Sequence, residues 1–68
     1  MIVFQKRLAE LRTLNKLTQK EVAERLGISQ PSYIRYENGS AEPTLENLIK
    51  LADLFDVSLD DLLGRKED

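Results

Sequence analysis

The chain contains no cysteine and no histidine. The first absence excludes a disulfide framework and any thiolate metal site, and the second removes the commonest general base and metal ligand, so catalysis starts from a poor inventory. Only three glycines are present, and none belongs to a glycine-rich phosphate loop. No stretch alternates with period two, which leaves no expected strand. Long apolar runs are missing too. The N-terminal MIVF is followed at once by Gln5, Lys6 and Arg7, so neither a signal peptide nor a membrane span is expected, and the expected location is the cytoplasm. Asn38-Gly39-Ser40 spells a glycosylation sequon, but without a secretory route it reads as chance.

What is present is a short chain of soluble composition. Its 68 residues, 41% hydrophobic and 32% charged, read as one globular domain spanning residues 1–68, with no internal repeat and no low-complexity segment. A core of that size is marginal alone, which favours a homodimer. The net charge of -2 hides an asymmetry. Residues 1–36 carry seven basic and three acidic side chains, a net +4, whereas residues 37–68 carry three basic and nine acidic, a net -6. Such polarity orients a protein on a polyanion; the alternative is ordinary solvated surface charge.

Apolar spacing and caps predict an all-α fold of five helices. Phe4, Leu8 and Leu11 mark the inward face of a first helix from about Val3 to Leu14. Thr18 with Glu21 three residues on forms a capping box for a second, with Val22, Ala23 and Leu26 inward and Gly27 as its left-handed terminator. Ser29 caps a third helix with Pro31 in its first turn, ended by Asn38-Gly39. Thr44 caps a fourth, on which Leu45, Leu48, Ile49, Ala52 and Phe55 share a face. Ser58 with Asp61 caps a last short helix carrying Leu59, Leu62 and Leu63, closed by Gly64. The second and third helices, joined by a short turn containing glycine, have the spacing of a helix-turn-helix, whose second helix enters the major groove. In that arrangement Ala23 is small at the crossing, Ile28 pins the turn, and Val22, Leu26, Tyr33 and Tyr36 face inward.

The run LTQKEVAERLGISQPSYIRYENG, followed by PTLENLIKLADLFDVSLDDLL, closely resembles the lambdoid phage repressor and Cro family of bacterial transcriptional regulators, the XRE type, from about Phe4 to Gly64. The resemblance implies a five-helix DNA-binding domain, usually dimeric on an operator of two half-sites.

With Tyr33 and Tyr36 inward, the helical period leaves Gln30, Pro31, Ser32, Ile34 and Arg35 facing out. The Gln30 amide matches the N6 and N7 edge of adenine, and the Arg35 fork matches O6 and N7 of guanine. The resemblance agrees, since the positions of Gln30, Pro31 and Arg35 are the family's usual base-facing ones. It also implies that Gln19 contacts phosphate and braces Gln30. Thr18 and the amide ends of the second helix offer a further phosphate seat, with Lys16, Lys20 and Asn38 beside them. Thr18 equally reads as a cap alone. Arg12 and Glu37 resemble a family pair that bridges the first and third helices.

Three departures from the family pattern stand out. Tyr33 occupies a position commonly isoleucine or valine, so part of its ring is expected to be displaced outward. Ile34 stands where a small or polar residue is usual, and reads either as a contact for thymine methyls or as a tolerated surface residue. The loop from Gly39 to Pro43 carries no basic residue, so a modest salt dependence is expected, with charge contacts from Arg12, Lys16, Lys20 and Arg35.

Leu59, Leu62 and Leu63, with Phe55 or Leu54 nearby, form the expected dimer seam, since relatives commonly pair through this helix; the other reading is that the leucines close the core. Ile2 and Val3 form a second apolar patch that could join the seam. Enzymatic activity is not expected, because the carboxylates are spread over solvent faces with no nucleophile–base pair, and Asp56, Asp60 and Asp61 have no loop to wrap a metal. No cofactor, small-molecule substrate or membrane partner is implied. The expected function is sequence-specific binding of a double-stranded DNA operator by a regulator, a repressor or controller of its own operon. No ligand-sensing or protease-cleavable second domain is expected, so induction is expected from concentration, a partner or competition at the operator. The rival is a protein-interaction module such as an antitoxin, for which the acidic second half offers a surface; Gln30 with Arg35 favours DNA.

Overall fold

Four of the five helices begin where a small hydroxyl side chain satisfies a free amide, and three end where the backbone turns left-handed. A computed structural model describes residues 3–64 as five helices, α1 (Val3–Leu14), α2 (Gln19–Leu26), α3 (Gln30–Asn38), α4 (Leu45–Phe55) and α5 (Leu59–Leu62), with no strand among the described residues. The fold is all-α, as the spacing predicts. Thr18 Oγ1 accepts from the Glu21 amide at 3.0 Å while Glu21 Oε1 accepts from the Thr18 amide at 2.8 Å, which completes the capping box of α2. Ser29, Thr44 and Ser58 cap α3, α4 and α5 through the same hydroxyl-to-amide bond. Gly27 (φ 73°) and Gly39 (φ 85°) stop α2 and α3 in the left-handed region, where a side chain would be strained. Asp56 takes the same conformation after α4 without being glycine, one of the few residue types that tolerates it.

The core draws on every helix. Leu8 and Leu11 of α1, Val22, Ala23 and Leu26 of α2, Tyr33 and Tyr36 of α3, Leu51, Ala52 and Phe55 of α4, and Leu62 of α5 are all buried. Phe4, Leu17, Ile28 and Leu48 pack around them. Each large side chain buried in this way contributes about 1.5–3 kcal/mol relative to exposure.

Four expectations need correction. On α4 the inward stripe runs through Leu48, Leu51, Ala52 and Phe55, so Leu51 replaces Leu45 and Ile49, which are 68% and 45% exposed. The Tyr33 ring is not displaced outward but fully buried. Leu62 and Phe55 are buried within the monomer, so they close the core and have no surface to offer a partner; Leu59 is exposed and Leu63 half-buried. The cap of α5 is only half a box, because Asp61 turns its carboxylate to Arg7 Nη2 at 2.8 Å and ties α5 to α1. The apolar patch expected at Ile2 and Val3 lies outside the described side chains.

Candidate nucleic-acid interface

The α2–α3 turn opens with backbone bonds that close the end of α2. The Gly27 amide donates to the Glu24 carbonyl and the Ile28 amide to the Ala23 carbonyl, at 3.1 and 3.0 Å. Ala23, itself buried, adds almost no bulk beneath the crossing, and Ile28 packs against the core from the turn. With Tyr33 and Tyr36 turned inward and set edge to face at 6.1 Å, the opposite side of α3 is fixed by helical geometry. Gln30, Pro31 and Arg35 are exposed on it, and Ser32 and Ile34 are partly exposed. The five residues expected to face outward therefore all have accessible surface. Ser32 is also part of the cap: its amide donates to Ser29 Oγ at 3.2 Å and its hydroxyl oxygen accepts from Ser29 at 2.9 Å.

Behind this face, Glu37 gathers donors from three helices. Its Oε2 accepts from Arg12 Nε at 2.6 Å and from the Tyr33 hydroxyl at 2.5 Å. Its Oε1 accepts from Gln19 Nε2 at 3.0 Å and, more distantly, from Arg12 Nη2 at 3.4 Å. Arg12 Nη1 donates to the Leu17 carbonyl at 2.9 Å, so the same guanidinium also holds the connection between α1 and α2. The Glu37 side chain is only 9% exposed. Burial resists its ionisation, but the bonds from Arg12, Tyr33 and Gln19 outweigh that cost and hold its carboxyl below the ordinary range. The bond to Glu37 raises the Arg12 guanidinium in return. Burial, followed by the bond to the carboxylate, pushes the Tyr33 phenol far above its ordinary value, so it stays a donor at every relevant pH.

The Arg12–Glu37 bridge expected from the sequence is thus present in the geometry, with two consequences that the sequence reading missed. Gln19 braces Glu37 at the end of α3 rather than Gln30 at its start. Arg12, committed to Glu37 and the Leu17 carbonyl, drops out of the cations expected to meet a polyanion, leaving Lys16, Lys20 and Arg35, all exposed. The Tyr33 hydroxyl was also missed. Its spacing from Glu37, one helical turn, was the available signal.

The remaining candidates border the same face. Thr18 and Asn38 are exposed and already carry local bonds, Thr18 in its cap and Asn38 Oδ1 to the amide and hydroxyl of Ser40 at 2.9 and 2.7 Å. Tyr36 is buried, with its hydroxyl oxygen accepting from Asn47 Nδ2 at 3.1 Å. No group of acidic side chains suited to a metal ion occurs among the described residues, and no helix of the described residues is long and apolar enough to cross a membrane.

Comparison with known proteins places this architecture. Residues 8–62 match the helix-turn-helix family model. The chain is 48% identical over 59 residues to the transcriptional repressor RstR of the cryptic phage CTXphi from Vibrio cholerae, a match that covers 87% of this chain and 53% of that protein. Among solved structures, a transcriptional regulator from Listeria innocua superposes with a TM-score of 0.87 at 31% identity, covering 96% of this chain and 61% of that one. The P22 c2 repressor, solved in complex with a synthetic operator, superposes with a TM-score of 0.85 at 26% identity, covering 94% and 97%. The chain spans about half the length of the curated relatives it matches. Those relatives are named as transcriptional regulators, not as enzymes. In sequence, in helix order and in the α2–α3 turn, the chain belongs to the helix-turn-helix family.

Proposed function

We propose that the chain is a sequence-specific DNA-binding domain of a transcriptional regulator, acting as a repressor, that presents α3 to the major groove. The observation that carries this reading is the split character of α3. Its Tyr33 and Tyr36 side is sealed in the core, while Gln30, Pro31 and Arg35 stand exposed on a helix that shares its buried side with α2. The P22 c2 repressor, solved with a synthetic operator, shares the whole fold, and RstR is named a transcriptional repressor; both likenesses support the same reading.

Gln30 and Arg35 supply direct readout, each bidentate contact worth roughly 1–3 kcal/mol of discrimination against the wrong base. Pro31, Ser32 and Ile34 line the same surface, with Ile34 suited to thymine methyls. Thr18, Gln19, Lys16, Lys20 and Asn38 take the backbone and fix the register. Residues 1–68 act as one domain in the cytoplasm, and two copies bind a two-fold symmetric operator. In the dimer the recognition helices lie about 34 Å apart, one duplex turn. Leu59 of α5, Leu63 just after it and the half-buried Leu54 of α4 are the surface left for that pairing, now that Leu62 and Phe55 are assigned to the core.

Selection of random duplexes by the purified protein, repeated with Gln30→Ala and Arg35→Ala, tests the reading. A two-fold symmetric motif is expected, with each variant relaxing preference at its own base positions. A folded protein that enriches no motif would overturn the proposal and turn attention to a protein partner for the α3 face.

A further inference from the structure

We propose that Tyr33 is a positioning residue for DNA binding, whose buried hydroxyl holds Gln19 in place through the Glu37 carboxylate. The inference rests on the reading of Gln19 as a backbone contact in the complex described above. Its own basis is the uneven way in which Glu37 is held. A guanidinium facing a carboxylate settles by preference into two parallel bonds of similar length. Here Arg12 instead makes one short bond, Nε to Oε2 at 2.6 Å, and one long one, Nη2 to Oε1 at 3.4 Å. The Tyr33 hydroxyl accounts for the imbalance. It donates to the same Oε2 at 2.5 Å from a ring with no exposed surface, so the oxygen is pinned from a direction that cannot move.

With Oε2 held by two donors, Oε1 keeps only the long bond from Arg12 Nη2 and takes its shorter one from Gln19, whose Nε2 lies 3.0 Å from it. Because the partner is a carboxylate and can only accept, the Gln19 amide must present its nitrogen inward, and its orientation is decided. One amide hydrogen is used on Glu37. The second hydrogen and the carbonyl oxygen remain in a fixed arrangement on a half-exposed side chain of the first turn of α2. Removing the hydroxyl lets the carboxylate swing into the even fork with Arg12, which draws Oε1 away from Gln19. The amide then has several rotamers to choose from, and a DNA contact made by it bears the cost of ordering it.

Tyr33→Phe removes the hydroxyl and keeps the buried ring. In the free protein, the side-chain amide resonances of Gln19 are expected to shift and its hydrogens to exchange faster. Asn47→Ala, which strips the bond from the other core tyrosine, should leave them unmoved. On the selected duplex, Tyr33→Phe should weaken binding about five-fold, the worth of one ordinary hydrogen bond, and should cause no further loss in a Gln19→Ala background. Unmoved Gln19 resonances would overturn the proposal, as would an equal loss of affinity in both backgrounds, which is the signature of general destabilisation. If the native protein selects no duplex, the DNA reading falls, while the resonances still decide whether Tyr33 sets Gln19.

Discussion

The two halves of the molecule share one apolar core but differ in the polar bonds laid over it. From α1 to α3, directed bonds are added to the packing: a complete capping box, glycine-terminated turns, and a carboxylate that receives donors from three helices. From α4 to α5, fit is enforced by apolar packing of Leu51, Ala52, Phe55 and Leu62, with the Arg7–Asp61 bond fastening α5 to α1. The first half leaves a polar face outward on α3 and Leu14 exposed at the end of α1, while the second leaves Leu45, Ile49 and Leu59 exposed. Directed bonds specify angles, and a reader of base edges needs its helix at one angle. Packing specifies only volume and area, which suffices for a half whose remaining surface is mostly solvated carboxylates around a few exposed apolar side chains.

The sharpest way to break that comparison is Arg12→Ala. It leaves Glu37 nearly buried without its main cation and releases the Leu17 carbonyl as well. The expected loss is about 3 kcal/mol, a fall in melting temperature on the order of 15 °C, read by thermal unfolding. A fall of only a degree or two would mean that packing holds both halves and that the polar hub is incidental.

Acid should separate the halves next. The Glu37 carboxyl lies below its ordinary value of 4.5 when folded, so the fold favours its ionised form. Its contribution is therefore fully present above about pH 4.5 and is lost as the pH falls through the lowered folded value. Glu21, held low by the Thr18 amide and hydroxyl, shifts in the same direction. Melting temperature should hold between pH 7 and pH 5 and then drop towards pH 3, with a smaller acid-induced drop in Glu37→Gln. A profile of equal slope in that variant would remove Glu37 as the titrating element.

The comparison also explains what could be read from sequence. Caps and terminators at Thr18, Ser29, Thr44, Ser58, Gly27 and Gly39 were legible because they depend on neighbours within four residues. The outward set on α3 was legible because two aromatic residues three apart fix a helical phase. The inward face of α4 was not, since Leu45, Leu48, Ile49, Leu51, Ala52 and Phe55 contain two overlapping stripes, and only the helices packed against α4 choose between them. The bonds that matter most at the candidate interface join residues far apart in the chain, Gln19 to Glu37 and Arg12 to Glu37, and the resemblance supplied the second but not the first. The Arg7–Asp61 tie, 54 residues apart, left no local trace.

That tie gives the smallest expected effect and the most local one. Arg7 Nη2 and Asp61 Oδ1 lie 2.8 Å apart with side chains 30% and 25% exposed, and Glu10 approaches Arg7 at 3.8 Å without replacing Asp61. A pair so accessible to water is worth about 0.5 kcal/mol, so Arg7→Ala should barely change the global melting temperature. Its effect should appear instead in hydrogen exchange. Helix α5 is a single turn whose Leu62 and Leu63 amides bond back to Ser58 and Leu59 at 2.9 Å, and without its tether that turn opens more often than the rest of the chain. Faster exchange confined to Leu62 and Leu63, with the amides of α2 and α3 unchanged, is the expected pattern. Equal acceleration in α3 would show that α5 and α3 unfold as one unit, and that the two halves differ in chemistry but not in cooperativity.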